Sequence, residues 1–418
     1  MMKIYNVLLS FLFVGLLSAC ITEDKPEFPD LPKSDMTVIA YLLADTSIIP
    51  DDLWTNVAAI YDGLSLMDKP ASVYIYWDGT SNSSFWDHPV VLKFSTDGHG
   101  KVNGQPQLPQ DATVDEVVEL AEVVKEYPQQ MSTDKDVMAR VLKDIIGMTD
   151  TERLGLIAGS HGSAWLDKIN FSRSFGEDGG ANSGNTITIK DMADVLKSTG
   201  RHFDFLLFDA CNMATIEVYY DFKDIVDFMI GSVLEIPAIG FPYENSLHYL
   251  YDHSIESYKK VCDEYIKFYD KDTSDGGSSQ WGTVSLVDNK QLDAMTSLVK
   301  REIVKNKNLL TTYTPYHLQE YGRRVESKYV ACDLEQFLKD INGGCLPTDV
   351  KDQLDKIILY KQHIDKPSYS VFTIDADNYS GLGIYIPYKS RSAWNETFKA
   401  LDWYPVSGWN EVTFSWNF

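Results

Sequence analysis

Short apolar runs recur along the chain and predict the strands of a buried β-sheet. Each holds five or six residues, largely β-branched or aromatic. Near-continuous apolar runs of that length are typical of strands covered on both faces, as in a parallel sheet. The runs lie at residues 38–43, 73–77, 154–158, 203–208, 229–233 and 283–287.

Amphipathic segments between these runs predict helices. Apolar residues recur at helical spacing over 53–64. Thr113 with Glu116 can form a capping box before VVELAEVV, and Thr188 with Asp191 a related one before MADVL. The alternation of strands and helices predicts the α/β class, as a sandwich with a mostly parallel sheet and right-handed crossovers.

Other parts of the chain carry weaker patterns. Two stretches rich in Gly, Ser and Asn, at 78–111 and 167–187, indicate loops. After residue 290 come further helical patterns and two late strand-like runs, at 371–375 and 383–387. The pattern leaves open whether these runs extend the main sheet or build a separate C-terminal domain.

The first twenty residues indicate export. Lys3 and the apolar stretch 7–17 are typical of a secretory signal, since the stretch is too short for a transmembrane helix. The tetrapeptide Leu-Ser-Ala-Cys ending at Cys20 resembles a bacterial lipobox, in which the cysteine is acylated and becomes the mature N-terminus. We therefore expect a signal peptide over 1–19 and an acidic, Pro-rich tether over 20–36.

This N-terminus predicts a lipid anchor in a bacterial membrane. A plain signal peptide cut near Ala19 is the alternative. The acidic residues after Cys20 resemble the surface-export signals of some Gram-negative lipoproteins. That resemblance points to the outer membrane and leaves the leaflet open.

Acidic residues strongly outnumber basic ones. The chain has 61 Asp and Glu against 37 Lys and Arg, a formal charge of −24. This balance argues against nucleic-acid binding, which needs clustered Lys and Arg. It would attract cationic peptides, although the simplest role for the charge is solubility.

Two of the predicted strands end in residues that can carry chemistry. The run 154–158 leads into Gly-Ser-His161-Gly162, and the run 203–208 leads into Asp-Ala-Cys211. Parallel strands deliver their carboxyl ends to one edge of a sheet, so a histidine and a cysteine are predicted to meet there. Imidazole can activate a thiol that is otherwise mostly protonated at neutral pH. The amides of Gly162 and Cys211 are candidates for an oxyanion hole.

Each of these residues also has a plainer interpretation. A cysteine at a strand end is often a buried packing residue, and a single histidine is often structural. Apart from Cys20, the chain has Cys211, Cys262, Cys332 and Cys345, too few for a disulfide framework in so long a chain. A pair between Cys332 and Cys345 stays open.

Four groups of residues form a recognisable set: HGSAW at 161–165, FDACNMA at 208–214 with Glu217, Gly231-Ser232 with GFPY at 240–243, and SGLGIYIP at 380–387. Together, these segments resemble the clostripain family of cysteine peptidases, which have a caspase-like fold. The similarity covers roughly residues 37–390 and departs from the usual family residues at Ala164 and Asn212, beside the reacting groups.

The resemblance implies a division of roles. Cys211 is then the nucleophile and His161 its acid–base partner, without an essential third member. Asp209 corresponds to the acidic residue at the base of the S1 pocket, which selects Arg or Lys at P1; the alternative is that Asp209 caps the next helix. Self-cleavage is implied in the loop after His161, where Lys168 and Arg173 are the candidate sites.

Two further interpretations of the site are open. The stretch around Ser160 nearly matches a G-x-S-x-G nucleophile elbow, which would make the protein a serine esterase. The other interpretation is a non-catalytic surface-binding lipoprotein, because Trp and Tyr are plentiful.

The sequence predicts no required cofactor. Residues 270–276 resemble a calcium loop only in part, with Trp281 where the twelfth-position Glu would stand. The histidines lack zinc-site spacing, so no metal ligands are assigned. Because some clostripain relatives use calcium, a calcium site elsewhere stays open.

The combined prediction is an exported cysteine endopeptidase that acts on proteins or peptides with exposed Arg or Lys. We expect a caspase-like α/β/α catalytic domain over 37–290. A smaller region of helices and strands over 291–418 is expected to pack on it.

Overall fold

The computed structural model describes residues 33–46, 50–79, 86, 88–109, 112–166, 174–179, 185–270, 281–323, 328–364 and 374–416. The strands are β1 Met36–Ala44, β2 Ala71–Gly79, β3 Val90–Thr96, β4 Lys101–Val102, β5 Gln105–Pro106, β6 Glu122–Glu126, β7 Arg153–Gly159, β8 Phe175–Asp178, β9 Asn185–Ile187, β10 Phe203–Asp209, β11 Val226–Gly231, β12 Thr283–Asp288, β13 Glu320–Arg323, β14 Lys328–Asp333, β15 Ile358–His363 and β16 Gly383–Ile384.

The α-helices alternate with these strands. They are α1 Pro50–Ser65, α2 Val114–Val118, α3 Lys135–Gly147, α4 Ile189–Ser198, α5 Ile216–Asp221, α6 Tyr243–Ser246, α7 Ile255–Tyr269, α8 Leu292–Lys305, α9 Lys307–Leu310, α10 Leu334–Ile341, α11 Thr348–Ile357, α12 Ser392–Lys399 and α13 Trp403–Val406. Short 3-10 helices lie at Leu247–Asp252, Asn289–Gln291, Ala376–Asn378, Lys389–Arg391 and Trp409–Glu411. Within the described ranges, no helix is long and apolar enough to cross a membrane.

A large sheet forms the centre of the molecule. Its middle is parallel, in the order β2-β1-β7-β10-β11, and antiparallel strands flank it: β12 and β15 on one side, β3 with its partners on the other. All six apolar runs predicted as strands fall on strands of this sheet, although β11 begins before its run and ends at Gly231. β2 and β7 lie on opposite sides of β1, so the chain adds strands in opposite directions from β1. Such a switch point opens a crevice at the carboxyl ends of the strands.

Helices cover both faces of the sheet. Alternate side chains of β1 show this: Ile39, Tyr41 and Leu43 belong to one hydrophobic cluster, and their neighbours Val38 and Leu42 belong to another. Helices α3 and α4 contribute to the first cluster, and α1 and α7 to the second. The predicted caspase-like α/β/α sandwich is therefore confirmed.

Two local predictions at the β3–β6 edge of the sheet were wrong. The capping box at Thr113 and Glu116 is present, but α2 ends at Val118, and residues 122–126 form β6 instead of more helix. The predicted loop 78–111 contains β3. In both cases β-branched residues gain backbone hydrogen bonds by pairing at the edge of the sheet, between β2, β3 and β6, and this outweighs local propensity.

The region after residue 290 contributes both to the main sheet and to a smaller one. β15 pairs with β12, while β13, β14 and β16 form a separate three-stranded sheet. The late run 383–387 is thus β16 in part, whereas most of the run 371–375 lies outside the described residues. Trp403 and Trp409 are buried in the same cluster as α3 and α4. The domain division at residue 290 remains a prediction.

Candidate active site

The carboxyl ends of β7 and β10 meet at one edge of the sheet. Asp209 is paired in register with Gly159, and the Ser160 amide donates to the Asp209 carbonyl at 3.3 Å. His161 and Cys211 each follow the paired positions by two residues. The structure therefore brings together the two segments that carry the predicted histidine and cysteine.

Gly162 lies directly against the Cys211 backbone. A Cβ atom at position 162 would lie 2.5 Å from the Cys211 carbonyl oxygen and 3.0 Å from its amide nitrogen. Only glycine permits so close an approach. The two segments predicted to supply the oxyanion-hole amides are therefore in contact.

Cys211 is a partly exposed thiol, and its Sγ accepts a hydrogen bond from the Ile236 amide at 3.4 Å. Cys262 and Cys332 are fully buried, and burial raises the pKa of each thiol well above its usual range. Cys345 is exposed, and both Cys332 and Cys345 are free thiols, so the pair between them is not formed. Cys211 is thus the reachable thiol at the edge of the sheet.

The Asp209 carboxylate is buried beneath this edge, with 4% of the residue exposed. Its Oδ2 accepts hydrogen bonds from the Tyr243 hydroxyl at 2.7 Å, the Phe241 amide at 3.3 Å and the Asn56 side chain at 3.5 Å. Burial raises the pKa of Asp209 to about 6, against the lowering effect of the Tyr243 and Phe241 hydrogen bonds.

The other carboxylate oxygen of Asp209 has no hydrogen-bond partner among the described residues. Above it lies Gly240, where a Cβ atom would approach both carboxylate oxygens to 2.5 Å. A buried acceptor without a donor is energetically costly. Asp209 does not cap the next helix, because α5 begins after Thr215.

The structure adds one acidic residue that the sequence did not indicate. Oε2 of Glu177 lies 3.6 Å from Nε2 of His161, and the Glu177 side chain is 4% exposed. The residue belongs to β8, inside the stretch 167–187 that the sequence indicated as a loop. Its neighbours Asp178 and Gly179 are polar or small, so the sequence shows no strand signal there.

Ser160 is not placed as a nucleophile. Its hydroxyl is buried and donates to the Leu43 carbonyl at 3.0 Å. The chain after it continues into isolated β-bridges at Gly162 and Ser163 instead of a helix. Both observations disagree with a nucleophile elbow, whose serine is exposed at a strand-to-helix turn.

The two departures from the family pattern lie in unusual backbone conformations. Ala164 has φ of 57° and Asn212 has φ of 61°. Glycine adopts this left-handed region most readily, and asparagine tolerates it better than most other residues. The Asn212 side chain also donates to the Val233 carbonyl at 2.9 Å, which holds the turn after Cys211 in place.

Several predicted features lie outside the described residues: the lipidation site Cys20, the cleavage candidates Lys168 and Arg173, and residues 271–276 of the calcium-like stretch. Among the residues that the structure covers, no group of three or more His, Cys, Asp or Glu side chains is arranged to hold a metal ion.

The sandwich fold and the sequence together define a cysteine peptidase with a caspase-like architecture. The chain belongs to the clostripain family, whose sequence profile matches residues 49–416. Members of this family are cysteine peptidases, so the chain is a hydrolase that acts on proteins or peptides.

Solved structures agree with this fold. The chain is similar to a secreted C11 cysteine protease from Bacteroides thetaiotaomicron bound to an irreversible peptide inhibitor, with 22% identity, a TM-score of 0.71, and 91% of this chain and 100% of that chain covered. It is equally similar to an inactive zymogen C11 protease from Parabacteroides distasonis, with 22% identity, a TM-score of 0.71, and 90% and 99% covered. No curated protein matches the chain.

Proposed function

We propose that this peptidase is an endopeptidase that cleaves after Arg or Lys through a Cys211–His161 dyad. The observation that carries the proposal is the contact between the two strand-end segments, where Gly162 lies against the Cys211 backbone. This contact supports a reachable thiol, an imidazole and two candidate amide donors acting together at one sheet edge.

The proposed reaction is acyl transfer in two steps. The Cys211 thiolate attacks the scissile carbonyl carbon, and the amides of Gly162 and Cys211 donate to the oxygen as negative charge develops there. The C–N bond then breaks, and His161 gives its proton to the leaving amine. In the second step His161 takes a proton from water, the hydroxide attacks the thioester, and the Cys211 sulfur leaves as thiolate.

Replacement of the nucleophile tests this proposal. We expect Cys211→Ala to lower the hydrolysis of an Arg-containing peptide ester by about 10³-fold or more, because no other group forms the acyl intermediate. Iodoacetamide should inactivate a Cys345→Ser variant that keeps Cys211. In this variant Cys211 is the accessible thiol among the described residues. Ser160→Ala is the matched control, and loss of activity there instead would support the esterase interpretation.

The proposed P1 preference rests on Asp209. One of its carboxylate oxygens has no partner among the described residues and lies against Gly240, and a guanidinium or ammonium group would supply the missing donor and the opposite charge. A panel of fluorogenic peptides varied at P1 tests the preference. Equal rates for Arg, Lys and Ala would contradict it.

We further propose activation by self-cleavage after Arg173 or Lys168. The two basic residues lie between β7 and β8, close in sequence to His161, and the similar C11 protease from Parabacteroides distasonis was solved as an inactive zymogen. Mass spectrometry should find one of these cuts in the active chain and in neither Cys211→Ala nor the double variant Lys168→Ala/Arg173→Ala. An uncut chain of full activity would contradict this.

Export and anchoring are proposed from the N-terminus. We expect acylation of Cys20, which follows a lipobox-like sequence, and attachment to the outer membrane. Metabolic labelling with a fatty-acid analogue should mark the parent chain and not Cys20→Ser. Equal labelling of both would contradict the assignment.

Cysteine–histidine acyl transfer uses no metal, so we propose that catalysis requires none. EDTA should leave the rate of the processed enzyme unchanged. A loss that calcium restores would place a calcium site in this chain.

A further inference from the structure

A short strand holds an acidic side chain behind the proposed acid–base histidine. β8 runs beside the segment that follows β7: the Gly176 amide donates to the His161 carbonyl at 2.9 Å, and the Ser163 amide donates to the Ser174 carbonyl at 3.1 Å. An isolated bridge between Gly162 and Phe175 completes this pairing. Backbone hydrogen bonds at residues 161 and 163 therefore hold β8, which carries Glu177, beside the histidine.

The Glu177 carboxylate and the His161 ring are close and shielded from water. Oε2 lies 3.6 Å from Nε2, and the two side chains are 4% and 20% exposed. A buried carboxylate needs a compensating positive charge or donors, and an imidazolium in this position supplies both. The separation is longer than a normal hydrogen bond, as is common for catalytic groups before substrate is bound.

We propose that Glu177 is the positioning residue of His161. The Glu177 carboxylate attracts the Nε2–H group of His161 and so fixes the orientation of the ring. Nδ1 is then left to exchange the proton with Cys211 and the leaving amine. The charge of Glu177 also stabilises the imidazolium that forms when the thiol gives up its proton. In this role no proton moves to Glu177, as with the carboxylate of a serine-protease triad.

This inference rests on the proposed Cys211–His161 chemistry and adds a third member to it. The pairing survives the proposed self-cleavage, because β8 begins after Arg173 and is held by its own hydrogen bonds to the 161–163 segment. A cut after Arg173 would leave Glu177 near the start of the new chain and still attached to the sheet edge.

The test compares Glu177→Gln with the parent chain, both in the Cys345→Ser background and after the same limited trypsin treatment. Glutamine keeps the shape and removes the charge. We expect kcat to fall by about 10- to 100-fold, a part of the 10²–10⁴-fold that a positioned acid–base group contributes, with KM changed by less than about twofold. The alkaline limb of the kcat/KM profile should move to lower pH, because the imidazolium loses its counter-charge.

Asp178→Asn is the matched control, because Asp178 is the next buried acid of β8 and accepts from the Thr133 amide at 3.1 Å instead of facing His161. It should keep kcat and the pH profile. Glu177→Asp should restore part of the rate lost in Glu177→Gln. If Glu177→Gln lowers activity only together with thermal stability, and Asp178→Asn does the same, the role is structural and the inference is wrong.

Two other results would overturn the inference. One is an unchanged kcat and pH profile in Glu177→Gln. The other is higher activity of unprocessed Glu177→Gln than of the unprocessed parent, which would make Glu177 a latch on His161. Both leave the proposed function intact as long as Cys211→Ala is inactive, whereas activity in Cys211→Ala would contradict the proposed function itself.

Discussion

Asp209 shows how the environment of one side chain sets its chemistry. The carboxylate lies below the sheet edge, where one oxygen accepts three hydrogen bonds and the other has no partner among the described residues. Removal from water favours the neutral form, and this raises its pKa to about 6. A cationic P1 side chain would favour the ionised form again.

We therefore predict an acid limb in the binding of basic substrates. Below about pH 6 Asp209 is protonated in the free enzyme, so KM for an Arg peptide should rise as the pH falls, by up to about tenfold per unit. Steady-state kinetics from pH 4.5 to pH 8 measure this. In Asp209→Asn, KM should be higher at pH 7 and nearly constant with pH. A parallel pH dependence in both chains would remove Asp209 from the P1 site.

The elements at the sheet edge depend on a single close contact. The segment after β7 and the segment after β10 approach each other at Gly162, where a side chain would collide with the Cys211 backbone. This contact aligns two loops that belong to different strands. A small change there should therefore affect the chemistry more than the fold.

We predict that Gly162→Ala lowers kcat by about 10²-fold or more. The added methyl group forces the loop away from the Cys211 carbonyl and amide and displaces a proposed oxyanion donor. Circular dichroism should show a folded chain. Gly147→Ala, at the end of α3 where a Cβ meets no atom within 4 Å, is the control and should keep full activity. Normal kinetics in Gly162→Ala would contradict the role of the contact.

Over the whole molecule, buried acids make stability depend on pH. Burial is the largest cause that raises the pKa of several carboxyl groups, and the shift is large for Asp78, to about 8, for Asp178 and Asp209, to about 6, and for Glu217 and Asp221, to about 7. Each is protonated more readily in the folded chain than in the unfolded chain. Their contribution to stability is complete below the unfolded pKa and is lost as the pH rises through the folded pKa.

We predict that the free energy of unfolding falls between about pH 5 and pH 8, and thermal melts across this range measure it. Repulsion among the charges behind the formal −24 acts in the same direction. Asp78→Asn, which removes the group with a pKa of about 8, should flatten the upper part of the curve and raise Tm at pH 8. Asp352→Asn on the exposed surface of α11 should change little. A Tm that rises steadily from pH 5 to pH 8 would contradict the prediction.

Much of the fold followed from local patterns. Apolar runs marked the central strands, and Thr113 and Thr188 marked helix starts, because periodicity and capping depend on residues close in sequence. The edge strand β3 and the short strand β8 were missed. Their stability comes from pairing with distant segments, which local propensity does not describe.

The sequence by itself determined the fold class, the family and the meeting of the segments that carry His161 and Cys211, since successive parallel strands must carry their carboxyl ends to one edge. Only the tertiary structure decided which groups surround that edge. Asp209 is buried with one oxygen lacking a partner among the described residues, Ser160 is tied to the Leu43 carbonyl, and Glu177 faces His161. These outcomes depend on packing and hydrogen bonds between segments that come together only when the chain folds.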